Sequence, residues 1–131
     1  MKILIVEDDF TSRLLLQEIL KDYGICHIAV NGKEAVVAAT TAREAGEPYD
    51  LICLDIMMPE LDGQDALRQI RAHEESQGVI STQGAKIMMI TALGDIKNVH
   101  AAYGNLCDGY LAKPIHKAKL LNDMRQLKLI D

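Results

Sequence analysis

Four short apolar runs punctuate this chain of 131 residues, and each stops at a polar side chain. Lys2-Ile3-Leu4-Ile5-Val6 runs into Glu7-Asp8-Asp9, Leu51-Ile52-Cys53-Leu54 ends at Asp55, Ile87-Met88-Met89-Ile90 ends at Thr91, and Tyr110-Leu111-Ala112 ends at Lys113-Pro114. Runs of this length, bounded by turn residues and separated by helical patterns, predict strands buried on both faces of a parallel sheet. Leu15, Leu16, Ile19 and Leu20 recur at helical spacing and predict a helix over about residues 11–23, stopped by Gly24. Residues 25–30 read as a second strand. Asn31 with Glu34 three residues later opens a helix to about Ala45, packed by Ala35, Val36 and Ala39. Residues 46–50 turn into the next strand, and Asp62 caps a third helix carrying Ala66, Leu67 and Ile70. Residues 74–85 are polar and turn-rich. A fourth helix over about residues 95–103, a strand near Tyr110 and a last helix with Leu120, Leu121, Met124 and Leu127 complete the pattern. Five β–α units predict an α/β fold with helices on both faces of a five-stranded parallel sheet.

That architecture brings distant residues together. The carboxyl ends of parallel strands share one edge, where ligands bind. The acids, hydroxyl and ammonium that end the runs, 22 to 47 residues apart in sequence, therefore converge there.

Composition changes this picture little. The chain is 49% hydrophobic and 25% charged, as expected of one globular domain with a substantial core, and shows no linker, repeat or low-complexity tract. A formal net charge of −5 argues against direct binding to nucleic acid or anionic membrane. No apolar stretch predicts membrane insertion, and no signal segment opens the chain. Cys26, Cys53 and Cys107 lack CxxC spacing, and two sit in apolar strand runs, so free buried thiols and a reducing, cytoplasmic setting are expected.

The converging groups suit phosphoryl chemistry. Glu7, Asp8 and Asp9 facing Asp55 concentrate negative charge that a cation must neutralise. Oxygen ligands without His or Cys favour a hard ion, Mg²⁺ above all. A carboxylate can act as nucleophile and form an aspartyl phosphate. The transferring group then needs charge neutralisation, which Lys113, the Thr91 hydroxyl and the metal would share among its oxygens.

ILIVEDD with Arg13 five residues after Asp8, LDIMMPELDG around Asp55, Thr91-Ala92, and Tyr110-Leu-Ala-Lys113-Pro114 together resemble the receiver domain of bacterial two-component response regulators. The likeness spans essentially the whole chain and is strongest to single-domain, chemotaxis-type members. It implies one receiver domain over residues 1–131 with no output domain, a flavodoxin-like three-layer sandwich, and a doubly wound sheet of order 2-1-3-4-5. It also implies a phosphorylation-switched module of a two-component phosphorelay, a phosphoacceptor that catalyses its own phosphorylation and slow dephosphorylation. Asp55 would accept the phosphoryl group from a phosphohistidine donor, with Thr91 and Lys113 as its catalytic companions. Mg²⁺ would be held by Asp8 directly, Glu7 through water, Asp55 and the Met57 backbone carbonyl, leaving Asp9 solvated at the helix start. Implied partners are a sensor histidine kinase or histidine phosphotransfer protein, and a downstream protein target on the face of helix 4, strand 5 and helix 5. Thr91 and Tyr110 would couple that face to the site, giving a partner surface with Lys97, His100, Tyr103, Tyr110 and the helix after His116.

Some positions depart from the family's pattern. Leu106 stands where Gly is usual, with Gly104 a candidate to take over that turn. The segment over residues 74–83 is long, as an extended helix or a loop. Met57 and Leu93, two residues beyond Asp55 and Thr91, are apolar, so neither can orient a water for attack on the acyl phosphate. Met57, Met58, Met88 and Met89 read as core fillers. His27, His73, His100 and His116 have structural or surface roles, and Lys117, Lys119, Arg125 and Lys128 form the solvated face of the last helix.

Two rival functions weigh less. An aspartate-nucleophile phosphohydrolase of the haloacid dehalogenase type needs a second acid two residues after the nucleophile, where this chain has Met57. A nucleotide- or flavin-binding module would want a Gly- or Ser/Thr-rich loop after the first strand, and Glu7-Asp8-Asp9 there would repel phosphate.

Overall fold

The computed structural model describes residues 1–58, 61–80, 83–104 and 106–131, with the side chains of Leu93, Ala102 and Tyr103 outside the description. Strands β1 (Lys2–Val6), β2 (Ile25–Ala29), β3 (Leu51–Asp55), β4 (Lys86–Ala92) and β5 (Gly109–Lys113) alternate with helices α1 (Phe10–Leu20), α2 (Gly32–Glu44), α3 (Gly63–Ser76), α4 (Ile96–Tyr103) and α5 (Lys117–Gln126). A 3₁₀ turn, Leu93–Asp95, precedes α4. The strands pair in parallel in the order β2-β1-β3-β4-β5, the doubly wound sheet expected.

Strand pleating explains why the central runs are apolar throughout. Leu4, Val6, Ile52, Leu54, Ile87 and Met89 form one core with α2, α3 and α4, through residues such as Ala35, Leu67, Ile70 and Val99. Their neighbours Ile3, Ile5, Leu51, Cys53, Met88 and Ile90 form the other with α1 and α5, through Leu16, Ile19, Leu120 and Met124. Both faces are therefore dry, each buried Leu or Ile contributing about 1.5–3 kcal/mol. Strand β2 lies at an edge and alternates instead, with Ile25 and His27 exposed. Among the described residues, no helix is long and apolar enough to cross a membrane.

The cap residues expected for the second and third helices sit where they should. Asn31 Oδ1 accepts the Glu34 N–H at 2.8 Å, while Glu34 reaches back to the Val30 N–H at 3.1 Å. Asp62 Oδ1 accepts the Asp65 N–H at 3.0 Å. Other boundaries differ. Helix α1 ends at Leu20, before Tyr23, and β2 ends at Ala29. Gly24 is small for another reason than helix termination: a Cβ there would lie 2.2 Å from the Met1 carbonyl oxygen.

Of the two alternatives for the segment after the third helix, the extended helix holds as far as Ser76, and Glu74 is a buried side chain within it. Glu74 pairs with Arg71 at 2.7 Å and Arg43 at 3.3 Å, and accepts the Ala85 N–H at 2.8 Å. Arg71 also donates to the carbonyls of Leu106 (2.7 Å) and Ala85 (2.9 Å) and pairs with Asp108 at 2.9 Å. This network ties α2, α3 and the starts of β4 and β5 together at the amino edge of the sheet. Arg71 secures the turn before β5 through the Leu106 carbonyl. Gly104 does not take over a left-handed position; it is right-handed, φ −56°, at the end of α4. Residues 81 and 82 of the long segment lie outside the described residues.

Candidate active site

The chain runs from β1 outward to β2 and returns across β1 to β3, so strand order reverses between β1 and β3. The crevice at such a switch point lies at the carboxyl ends of the strands. Glu7 and Asp8 follow β1 there, and Asp55 is the last residue of β3. The start of α3 presses against Asp55: a Cβ on Gly63 would come within 2.2 Å of the Asp55 carbonyl oxygen, and the Gly63 N–H donates to the Ile56 carbonyl at 3.0 Å. Sequence reasoning missed that role for Gly63, although the Asp62-Gly63 pair is a turn signal.

Asp55 is 2% exposed. Its Oδ1 accepts the Met57 N–H at 3.2 Å, and its Oδ2 lies 3.2 Å from Lys113 Nζ. The Lys113–Pro114 bond is cis. Glu7 is wholly enclosed; Oε1 accepts the Asp9 N–H at 3.1 Å, whereas Oε2 is buried without a hydrogen-bond partner among the described residues. Lys113 Nζ stands 3.5 Å from that oxygen, an ion-pair contact only. Thr91 is buried on β4, opposite Ala112 of β5. Asp8 is exposed at the mouth. Asp9, also exposed, caps α1 by accepting the Ser12 N–H at 2.9 Å, a bond that lowers its pKa. The Arg13 guanidinium donates to the Glu7 carbonyl at 3.4 Å.

Met57 is a correction: at 79% exposure it is no core filler, while Met88 and Met89 are fully buried and Met58 half-buried. The Leu93 side chain, expected beside the site, lies outside the described residues.

Electrostatics set this cluster apart. Burial, and then the neighbouring Asp55 carboxyl, raise the Glu7 pKa from 4.5 to about 7. Burial opposes the Lys113 charge, but the Asp55 and Glu7 carboxylates outweigh it and raise the pKa. Among the described residues, the Lys113 ammonium contacts two of the acids, Asp55 and Glu7. Oxygens of Glu7, Asp8 and Asp55 lie within 4.8 Å of one another with no His or Cys among them, and Glu7 Oε2 lacks a hydrogen-bond donor among the described residues. That donor set fits a small hard cation.

A stability effect follows for the metal-free protein. Between about pH 4.5 and 7 the unfolded chain has released the Glu7 proton and the folded one keeps it. Stability should therefore fall as pH rises through that window, by on the order of 3 kcal/mol, and a bound divalent cation should offset the loss. Urea denaturation in chelator at pH 5 and pH 8 measures this; equal stabilities would show that Glu7 carries no such burden.

A doubly wound sheet with an acidic cluster and a lysine at its switch point defines an α/β domain with a cation-suited cleft. The sequence matches the response regulator receiver domain family over residues 3–125, and the chain belongs to that family, the receivers of two-component phosphorelays. It is 36% identical over 128 residues to the probable transcriptional regulatory protein SilR of Salmonella typhimurium, covering 97% of this chain and 50% of that protein. The chain thus spans about half the length of that curated relative. The receiver domain of the sensor histidine kinase PA1611 from Pseudomonas aeruginosa, solved with a magnesium ion in its active-site cleft, is 31% identical with a TM-score of 0.74, covering 97% of each chain. The receiver domain of Ssk1 from Saccharomyces cerevisiae, solved with the phosphotransfer protein Ypd1, is 29% identical with a TM-score of 0.79, covering 97% of this chain and 88% of the other.

Proposed function

We propose that Asp55 accepts a phosphoryl group from a phosphohistidine donor. The observation that carries this is the contact of Lys113 Nζ with Asp55 Oδ2 at 3.2 Å, in a cleft where Asp55 is almost wholly buried. A carboxylate oxygen of Asp55 attacks phosphorus, the phosphorus–nitrogen bond breaks, and the imidazole leaves with the electron pair and takes up a proton. Lys113 neutralises one phosphoryl oxygen, and the buried Thr91 hydroxyl donates to another. Asp8, Asp55 and the Met57 carbonyl would hold Mg²⁺ directly and Glu7 through water, as the unpaired Glu7 Oε2 favours. The ion would neutralise the acids and draw charge from the transferring phosphoryl group. The domain itself catalyses the transfer, so a small donor should suffice. With Mg²⁺ and acetyl phosphate, mass spectrometry should find one acid-stable, base-labile phosphoryl group, absent in chelator. Failure to acquire it would overturn the assignment.

The donor is a sensor histidine kinase or histidine phosphotransfer protein. Phe10 (66% exposed) and Leu14, one turn apart on α1, and Met57 offer an apolar rim on segments that adjoin the site. Such a rim suits a helical partner.

The signal leaves through α4, β5 and α5. Tyr110 packs against His100 of α4 with ring centroids 5.5 Å apart, and its hydroxyl is buried without a hydrogen-bond partner among the described residues. Burial raises its pKa, and the Cys107 thiol beside it adds to this without completing a hydrogen bond. An unsatisfied buried phenol costs roughly 1–3 kcal/mol, which lowers the cost of moving Tyr110 to an arrangement in which its hydroxyl is hydrogen-bonded. Lys97 and His100 are exposed on α4, as are Lys117 and Lys119 on α5, while the Tyr103 side chain lies outside the described residues. Beryllofluoride with Mg²⁺ should shift the NMR signals of Thr91, Tyr110 and α4. Shifts confined to the loops around Asp8 and Asp55 would refute this switch.

A further inference from the structure

The chain contains three cysteines and six methionines, and of these nine residues only Met57 is exposed. Met88, Met89 and Met124 are fully buried. Met1 and Met58 are half-buried, packed against the two cores. Cys53 is buried, with its thiol pushed up to about 12, and burial also raises the half-buried Cys26 and Cys107. Thiols held protonated react slowly with oxidants, because the thiolate is the reactive form. Met57, by contrast, is 79% exposed. Its own backbone N–H donates to Asp55 Oδ1 at 3.2 Å. The sulfur-bearing residue most open to solvent is thus the one whose backbone N–H holds the Asp55 carboxylate.

We propose that Met57 is an oxidation site through which a peroxide-class oxidant shortens the life of the phosphoryl group on Asp55. This rests on Asp55 being the phosphoacceptor. The thioether sulfur attacks one oxygen of hydrogen peroxide, the sulfur–oxygen bond forms, and the oxygen–oxygen bond breaks. Hydroxide leaves and takes the proton of the sulfur-bound hydroxyl to become water, so sulfur is oxidised by two electrons and peroxide reduced by two. The product is a sulfoxide, polar where the thioether was apolar, and the change is of the kind that sulfoxide reductases reverse. A thioether accepts hydrogen bonds weakly; a sulfoxide oxygen accepts them well. At the mouth of the site it would hold water against the acyl phosphate. That water attacks phosphorus and gives up a proton to solvent, the bond to the Asp55 oxygen breaks, Asp55 leaves as a carboxylate, and the phosphoryl group departs as inorganic phosphate.

The test treats the protein with graded hydrogen peroxide and assigns oxidised sulfurs by peptide mass spectrometry. Oxidised and untreated samples are then phosphorylated with acetyl phosphate and Mg²⁺, freed of donor, and followed as the acyl phosphate decays. Met57 should be oxidised before any other sulfur, and the oxidised protein should lose its phosphoryl group several-fold faster than the untreated one. In Met57→Leu, which keeps an apolar side chain of similar size without sulfur, peroxide should leave the decay rate as it was before treatment. Oxidation of another sulfur ahead of Met57, an unchanged or slower decay, or an equal acceleration in Met57→Leu would each overturn the proposal. If untreated protein forms no acyl phosphate, the phosphoacceptor assignment itself fails; the order of oxidation is still read from the spectra.

Discussion

Asp55→Asn, incubated with Mg²⁺ and acetyl phosphate, should remain unphosphorylated under conditions in which the parent protein acquires one phosphoryl group. The amide cannot act as the carboxylate nucleophile, and among the described residues no other acid in the cleft shares its setting. Asp55 is 2% exposed with Lys113 Nζ at 3.2 Å, whereas Asp8 and Asp9 are exposed. Glu7 is enclosed at the back of the cleft, with one oxygen committed to the Asp9 N–H. The same substitution should stabilise the metal-free protein near pH 8. It removes the charge that, after burial, does most to hold the Glu7 pKa up. Mass spectrometry reads the first effect and urea denaturation the second. Phosphorylation that persists in Asp55→Asn would move the acceptor elsewhere; a destabilised Asp55→Asn would show that the Lys113 pair outweighs the repulsion between the acids.

Glu74→Ala is the second large effect, and it is structural. Glu74 is 3% exposed between Arg71 and Arg43 and accepts the Ala85 N–H. Removing the carboxylate takes from the largely buried Arg43 guanidinium and the Ala85 amide the partner they share and leaves Arg71 with Asp108 and two carbonyls, a change that costs about 3–5 kcal/mol. For a domain of this size that is roughly a 10 °C or greater fall in Tm. Glu74→Gln, which keeps the shape and one carbonyl acceptor, should lose less. Because the network lies at the amino edge of the sheet, the folded fraction of either variant should still take up phosphoryl on Asp55. A fall in Tm of only a degree or two for Glu74→Ala would mean that water satisfies the arginines and the network holds little.

The two results test different kinds of knowledge. The acid, hydroxyl and lysine at the strand ends were legible because parallel strands buried on both faces leave a continuous apolar signature. The residue that ends such a strand must emerge at the edge of the sheet. The match of four separate motifs then pointed to the family and the order of strands. Capping residues such as Asn31 and Asp62 were legible too, since a cap acts within three or four residues. Glu74 was not. Its partners Arg43, Ala85 and, through Arg71, Leu106 and Asp108 are 11 to 34 residues away from it. Nothing local distinguishes a buried glutamate from a solvated one at the end of a helix.

What the sequence determined by itself was the alternation of elements, the apolar faces that form the two cores, and the set of polar groups that reach one edge. Periodicity and capping are short-range properties and survive reading one residue at a time. Only the tertiary structure decided which of those groups touch and what surrounds them. It enclosed Glu7 and raised its pKa, left Asp8 open, seated Lys113 on Asp55, turned Met57 out to solvent and drew Glu74 in. Burial and long-range pairing depend on chain segments meeting in space, and the strength of a charge depends on the water removed around it.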